Sequence, residues 1–408
     1  MTVPAAMTDA ALAARYAPQL MLDRAEPYEP VAFGYTVFRA AAPSPSSKFE
    51  VEPQGALCIE YAVYYDWDIG HLYDLEHVWV HVGADGAVTA VEASAHGRRL
   101  AMDAGRGRPE LAGDRAVVYV EAGKHAHWAA PGLMGEADRQ RLRALCGPLA
   151  GIEGVHLGNM FAAAGAYAAS GRDHRLARLK MRHDAFTPSH EHVPLAGAPV
   201  LLPWPDLADA IPARVTAELA RLERELPHLG AVFLDCGDTL IDERTEVKQP
   251  GSEVVLTGEL IPGARQMLEA LRAAGHRLVL VADGPRQTFV NLLTRHGLWE
   301  HFDAHVISGD VGAAKPDARM FDAALAAAGL TRADAWRTVM VGNNLSRDIR
   351  GANALGIPSI FMAWSSLRTH MPADPAEVPH YKIGSPEELP ALLDELEFLL
   401  RYRVPALF

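Results

Sequence analysis

Three short stretches in the second half of the sequence carry polar residues of types that do chemistry together. DCGDTL supplies Asp235, GAAKPD supplies Lys315, and NNLSRD supplies Asn343, Asn344 and Asp348. A carboxylate at a strand end can attack a phosphoryl or carbon centre and form a covalent intermediate. A lysine beside it offsets the negative charge of nucleophile and substrate. A second carboxylate, Asp348, can help to hold a divalent metal against Asp235. Backbone N–H groups in the loop after Asp235 can cradle phosphate oxygens.

A second constellation lies in the first half, in YYDWDIGHLYDLEHVWVHV. On a strand, Asp74 and Glu76 project to one face. His71 lies just before them, and Asp66 and Asp68 are close upstream. His96 in ASAHG and His125 in GKHAHW follow later strands. Mixed His and carboxylate ligands suit Mg²⁺, Mn²⁺, Fe²⁺ or Zn²⁺, and a carboxylate-dominated set suits Ca²⁺. The alternative is a hydrogen-bonded sheet face without a metal.

The elements that must position these groups differ between the two halves. Residues 1–30 contain a helix-like stretch, AALAARYAPQLML. From Val31 to Trp128 the runs ALCIEYAVYYDW, LEHVWVHVG, AVTAVEASAHG and DRAVVYVEAG alternate in polarity, are rich in Val, Tyr and Trp, and are parted by turn signals such as GADG. That pattern predicts an antiparallel β domain, a sandwich, with helical pieces after it. VPLAGAPVLLPWPDL is Pro-rich and predicts a linker leading to a helix that Pro227 ends. After Gly230 the order becomes strand, helix, strand, helix, from AVFLD through RLVLVA, HVISG and TVMVG to PSIFMAW. Such alternation predicts a parallel sheet covered on both faces, with ligands at the carboxyl ends of its strands. The expected domains are 1–204, a linker helix at 205–228, an α/β domain at 229–370, and a C-terminal tail with a helix at 371–408.

The chain has 408 residues, too many for one ordinary core. Its formal charge of −13, with no Lys/Arg run, argues against nucleic acid or an anionic membrane as partner. Three cysteines, Cys58, Cys146 and Cys236, form neither a metal-type pair nor a disulfide framework, which fits a cytoplasmic location. No signal-peptide pattern and no membrane-length apolar run is present. Oligomerisation is left open.

The order and spacing of Asp235, Lys315 and the Asn343–Asp348 stretch resemble the haloacid-dehalogenase-like (HAD-like) hydrolases over about 135 residues. The resemblance implies a Rossmann-like parallel sheet, with Asp235 as nucleophile and Mg²⁺ ligand and Lys315 as the charge-neutralising lysine. It implies Mg²⁺ contacts from the Gly237 carbonyl, Asn343 and Asp348, and substrate contacts from Thr239, Ala282, Asp283 and Gly284. Three positions depart from the family. Gly237 stands where phosphatases carry the aspartate that protonates the leaving group, so Asp238 would have to swing inward to replace it. Ala282 stands where the second motif has Ser or Thr, and Asn343 follows Gly342 where the fourth motif has Gly-Asp. Losing a general acid typically costs about 10²–10⁴-fold in rate. No large cap fits: only a short flap has room between Leu240 and Ile261.

GHLYDLE, with His71, Asp74 and Glu76, resembles the GHRHDWE heptapeptide of necrosis- and ethylene-inducing toxin-like proteins and related vacuolar-sorting-type proteins. There it sits on a β-sandwich and binds a divalent cation, which implies a second divalent cation here. The expected function is a Mg²⁺-dependent HAD-like phosphatase acting on a small phosphorylated or otherwise activated substrate. The alternatives are a degenerate HAD-like domain serving as scaffold or sensor for an N-terminal metal-binding domain, and a dehalogenase-type hydrolase.

Overall fold

The computed structural model describes residues 7–402 and divides into two units, one N-terminal up to Leu226 and one C-terminal from Pro227, which also takes in Ser170–Arg172. Residues 1–6 and 403–408, which the expected domain boundaries include, lie outside the described residues.

The N-terminal unit holds two sheets. In the larger one, the long strands Leu57–Trp67 and His71–Val82 pair antiparallel, with Ala32–Phe38 on one side and Val88–Ala95 and then Arg98–Ala101 on the other. The smaller one runs His127–Trp128, Arg115–Val120, Gln19–Asp23, His192–Pro194. Ile59, Tyr61, Val63 and Tyr65 share an apolar cluster with Leu20, Leu22, Val118 and Val120 of the smaller sheet. The alternate residues Ala62 and Tyr64 join a different cluster with Leu207, Ile211 and Val215. A strand buried on both faces is thus sorted by its period of two.

Three expectations are corrected here. Only Asp9–Tyr16 of the first stretch is helical, because Pro18 cannot continue the helix; the next residues, Gln19–Asp23, form a strand. The sheets are mainly antiparallel, as expected, with parallel pairing only of Gln19–Met21 with Val117–Tyr119, Gly154–Val155 with His71–Leu72, and Leu201–Pro203 with Phe33–Tyr35 among the described residues. The Pro-rich stretch is not a free linker: His192–Pro194 and Leu201–Pro203 are strands, one in each sheet. The helix after it, Trp204–Glu225, buries Trp204, Leu207, Ile211, Val215 and Leu222 in the N-terminal unit. Gly34 lets this helix approach, for a Cβ there would lie 2.8 Å from Trp204 and 2.9 Å from Leu207.

The C-terminal unit is built on six parallel strands in the order Ala304–Ile307, Leu278–Ala282, Ala231–Leu234, Thr338–Gly342, Ser359–Met362, Tyr381–Ile383. Val232 and Leu234 face one core cluster with the helices Ala264–Ala273, Arg286–Arg295 and Leu389–Leu399, while Ala231 and Phe233 face another with Ala318–Ala327. Each fully buried Val, Leu or Phe contributes about 1.5–3 kcal/mol, so this two-faced burial is what fixes the strand ends. Between Leu240 and Ile261 there is only an antiparallel flap, Ile241–Lys248 with Val255–Leu260. The expected C-terminal tail is corrected as well, because Tyr381–Ile383 is the sixth strand and Leu389, Leu393 and Leu396 belong to the core. No helix among the described residues is long and apolar enough to cross a membrane.

Candidate active site

Three strands of the parallel sheet end side by side in Asp235, Asp283 and Asn343, and their loops line one pocket of about 320 Å³. Lys315, buried in the loop before the helix Ala318–Ala327, places Nζ 2.8 Å from Asp235 Oδ1 and 2.6 Å from Asp348 Oδ1, and donates to the Val281 carbonyl at 2.7 Å. Burial works against its charge, but Asp235, Asp348 and Asp283 outweigh burial and raise its pKa. Burial pushes the Asp348 carboxyl up to about 7, with Lys315 opposing. The other Asp348 oxygen accepts from the Asn344 N–H at 2.9 Å. Asp283 accepts from the Lys315 backbone N–H at 3.0 Å through one oxygen, while its other oxygen is buried without a hydrogen bond. The side-chain amide nitrogen of Asn343 is buried and unpartnered too.

Lining the pocket are the carboxylates of Asp235, Glu243, Glu246, Glu253, Asp283 and Asp348, against four cations, Lys248, Lys315, Arg347 and Arg368. Such a pocket repels a phosphate dianion unless a further cation enters. The oxygen donors at these strand ends, from Asp235, Asp348, Asn343 and the Gly237 carbonyl, are of the hard kind that Mg²⁺ takes. The residues present therefore fit that ion.

Of the expected site residues, Asp235, Gly237, Asp283, Gly284, Lys315, Asn343 and Asp348 come together around the pocket. Three do not line it. Ala282 is buried within its strand. Thr239 is buried with its hydroxyl unpartnered. Asp238 does not swing inward: it sits at φ 47°, is fully buried, and accepts from the Glu243 N–H at 3.0 Å. The left-handed turn aims its carboxyl at the start of the flap, which corrects its expected role as stand-in acid.

The sequence reading missed the charged residues that the flap and the segment after the fifth strand bring in. Glu243 is held by Arg368 Nη2 at 2.9 and 2.8 Å. Glu246 lines the pocket, and burial, followed by the charge of Glu243, pushes its carboxyl up to about 7. The available signal was the density of acids in IDERTEVK, on a stretch read only as a flap.

The N-terminal candidates separate. Asp66 pairs with Arg214 at 2.6 Å. Asp74 accepts from His125 Nδ1 at 2.9 Å, while His125 Nε2 faces Glu26 at 3.5 Å. Burial opposes the charge on His125, yet Asp74 and Glu26 push it up to about 10. Glu76 accepts from the Ser94 hydroxyl, and burial pushes it up to about 8. His96 lies 3.1 Å from Glu121. Asp68 caps the His71 N–H at 2.7 Å and bonds Lys124. The expected grouping of His71, Asp74 and Glu76 is therefore replaced: His71 stands with Glu153 and His156, whose ligand atoms all lie within 4.8 Å of one another. His71 Nδ1 donates to the Tyr73 carbonyl at 2.8 Å, which leaves Nε2 facing Asp68 at 3.4 Å and Glu153 at 3.7 Å. Burial and then His71 hold His156 below its usual range. His71 and His156 line a cavity of about 720 Å³. Glu153 and His156 lie in the segment read from the sequence only as helical pieces after the β domain.

Comparison with known proteins follows the same division. The family model of the haloacid dehalogenase-like hydrolases matches residues 198–356. The phosphoserine phosphatase of Thermus thermophilus is 35% identical over 130 residues, which is 32% of this chain and 49% of that protein. The pyrimidine 5'-nucleotidase YjjG of Escherichia coli is 34% identical over 134 residues, 33% of this chain and 56% of that one. A crystal structure of a HAD phosphatase from Thermococcus onnurineus is 28% identical with a TM-score of 0.29, covering 33% of this chain and 58% of that chain. The chain thus spans about half the length of the curated relatives it matches. Taken with the Asp235–Lys315–Asp348 arrangement on a six-stranded parallel sheet, the match assigns the C-terminal part of this chain to the haloacid dehalogenase-like hydrolases.

Proposed function

We propose that the C-terminal domain is a Mg²⁺-dependent phosphoric monoester hydrolase that works on a small phosphorylated substrate through an aspartyl-phosphate at Asp235. The observation that carries this reading is the Lys315 ammonium between Asp235 and Asp348 at the carboxyl end of the sheet. Lys315 aims one Asp235 oxygen and offsets the charge that gathers as the carboxylate meets phosphate. Cys236 and Gly237 line the same pocket, and backbone N–H groups in such a strand-end loop are suited to phosphate oxygens. Mg²⁺ held by Asp235, Asp348, Asn343 and the Gly237 carbonyl would neutralise substrate charge when bound. The relatives named above, a phosphoserine phosphatase and a nucleotidase, favour this over carbon–halide chemistry.

The test is hydrolysis of an aryl phosphate with Mg²⁺ by the wild-type chain and by Asp235→Asn. Loss of turnover in the variant by about 10³-fold or more is the expected result. Equal turnover in both would remove Asp235 as nucleophile, and halide release from a haloacid in place of phosphate release would move the chemistry to carbon.

A second reading rests on His71, Glu153 and His156: the N-terminal unit binds a divalent cation, for which two imidazoles and a carboxylate suit Zn²⁺, Fe²⁺ or Mn²⁺. Under this reading the C-terminal domain could serve as a scaffold or sensor. Zn²⁺ titration followed by calorimetry should show a site that His71→Ala weakens by about 10-fold or more; identical isotherms would remove it.

A further inference from the structure

Gly237 leaves the proposed hydrolase without a side chain two residues after its nucleophile, and a side chain from elsewhere fills the space. A Cβ built on Gly237 would lie 3.0 Å from Cδ and 3.1 Å from Cγ of Glu243, with Oε1 nearer still. Glu243 comes from the first strand of the flap, Ile241–Lys248, and is fixed there by both contacts to Arg368, at 2.9 and 2.8 Å. Three residues further along the same strand, Glu246 is half-buried and lines the same pocket as Asp235. Glu246 makes no hydrogen bond or ion pair among the described residues.

We infer that the flap performs the proton transfer that Gly237 cannot, with Glu246 as the general acid and base and Glu243, locked to Arg368, as the residue that positions it. The inference rests on the hydrolase reading above. In the first step an Asp235 oxygen bonds to phosphorus, the bond from phosphorus to the ester oxygen breaks, and that oxygen takes the Glu246 proton and leaves as an alcohol. In the second, water bonds to phosphorus and gives its proton back to Glu246. The aspartyl–phosphate bond breaks, and inorganic phosphate and the Asp235 carboxylate result.

The division of roles between the two glutamates follows from their partners. Glu243 is committed through both carboxylate oxygens to Arg368, so it holds its place on the flap rather than turning to a substrate. Glu246 is faced by Glu243 and Lys248 on its own strand, by Asp238 from the loop after the nucleophile, and by Arg368 from the segment after the fifth strand. Burial and Glu243 push it up to about 7, where a general acid at neutral pH is best matched to its task. A proton donor on a flap also explains how a chain with glycine at position 237 can keep an intact Asp235, Lys315 and Asp348.

The test compares the full chain with Glu246→Gln and Glu243→Gln on two substrates, an alkyl phosphate with a poor leaving group and p-nitrophenyl phosphate with a good one, in Mg²⁺. For Glu246→Gln, alkyl phosphate hydrolysis should fall by about 10²–10⁴-fold, at least about tenfold more than p-nitrophenyl phosphate hydrolysis, because only the poor leaving group depends on the acid. The wild-type rate should decline as pH rises through the Glu246 pKa, and that limb should vanish in Glu246→Gln. In Glu243→Gln the limb should move to lower pH, since a negative neighbour is gone; a merely structural residue would lower the rate without moving it. Equal losses on both substrates, or an unchanged alkaline limb in Glu246→Gln, would overturn the inference while leaving the Asp235 mechanism intact. If the wild-type chain hydrolyses neither substrate, the hydrolase reading fails first and the inference falls with it.

Discussion

In the N-terminal unit the carboxylates Glu60, Asp68, Asp74 and Glu121 each have a hydrogen-bonding partner, whereas in the C-terminal unit an unpartnered carboxylate oxygen and amide face one pocket. The unpartnered buried atoms of the N-terminal unit, such as the Tyr65 hydroxyl and the His127 ring nitrogens, include no carboxylate oxygen among the described residues. Glu60 accepts from Ser44 at 2.6 Å, Ser46 at 2.9 Å and Trp79 at 2.8 Å. Glu121 accepts from Trp128 at 3.0 Å and Arg141 at 2.7 Å, with His96 beside it. Around Asp235, by contrast, one Asp283 oxygen and the Asn343 amide nitrogen are buried without hydrogen bonds. Buried polar atoms left unpaired are costly, so a cluster of them around one cavity marks a place where something else completes the set. The difference teaches that charge density alone did not distinguish the two halves; what the charges already hold did.

The largest effect that should separate the two regions is at Lys315. Lys315→Met keeps the length of the side chain but leaves Asp235 and Asp348 facing each other without a cation. Phosphatase activity should fall by about 10²–10³-fold, and the loss of one partner from a buried pair should cost about 3–5 kcal/mol of stability. Urea unfolding and steady-state rates measured on the same preparation check both. A variant that keeps full activity would mean that the pocket is as self-satisfied as the N-terminal network.

The counterpart in the N-terminal unit is His125, stacked on Tyr65 with ring centroids 3.7 Å apart and placed between Asp74 and Glu26. His125→Phe keeps the stack and removes the charge, so it should destabilise the unit by about 3–5 kcal/mol while leaving aryl phosphatase rates unchanged. The wild-type unit carries a pH signature of the same pair. The folded pKa of His125, about 10, lies above its unfolded value of about 6.5. Its contribution is therefore fully present below pH ~6.5 and is lost as pH rises towards ~10. Asp74 is shifted the other way: burial works to raise it, but His125 outweighs burial and lowers it. Its contribution is present above its unfolded pKa and lost in acid. Thermal unfolding from pH 5 to pH 10 should show the alkaline decline in the wild type and not in His125→Phe. A decline of the same size in both would assign it to other groups.

How much of this was legible in the sequence follows from what each residue's neighbours are. Asp235, Lys315 and Asp348 were readable because each is tied to a strand end or its loop, and alternation of strand and helix fixes where strand ends lie. Asp238 was misread because its side-chain direction depends on one left-handed φ, and adjacent sequence does not encode it. Glu243 and Glu246 were passed over because the approach of Glu243 to Gly237 and the place of Glu246 in the pocket depend on how the flap folds back, a packing event between residues that carry no shared motif. In the N-terminal unit, His71, Asp74 and Glu76 looked like one set because strand alternation puts them near each other. The structure divides them because His125, Ser94 and His156 arrive from three other segments. The Pro-rich stretch read as a linker became two strands since short edge pairings tolerate proline where no ladder donor is needed.

The smallest expected effect sharpens the comparison most, because it asks whether the space beside Gly237 is really filled. Gly237→Asp supplies the aspartate that the family resemblance leads one to expect at this position, but its Cβ would meet Glu243. Alone, it should displace Glu243 from Arg368 and destabilise the domain by about 1–3 kcal/mol, the usual cost of overpacking. Glu243→Ala alone loses the Arg368 pair. Combined, the two should cost less than their sum, because the alanine vacates the volume that the aspartate needs. The coupling expected between residues in direct contact is about 0.5–3 kcal/mol. Urea midpoints for the wild type, both single variants and the double variant measure it directly. Additive costs would mean that Glu243 does not occupy the space beside Gly237. Coupling of the predicted sign would show that this pocket, unlike the carboxylates of the N-terminal unit with their fixed partners, is completed by a side chain borrowed from the flap.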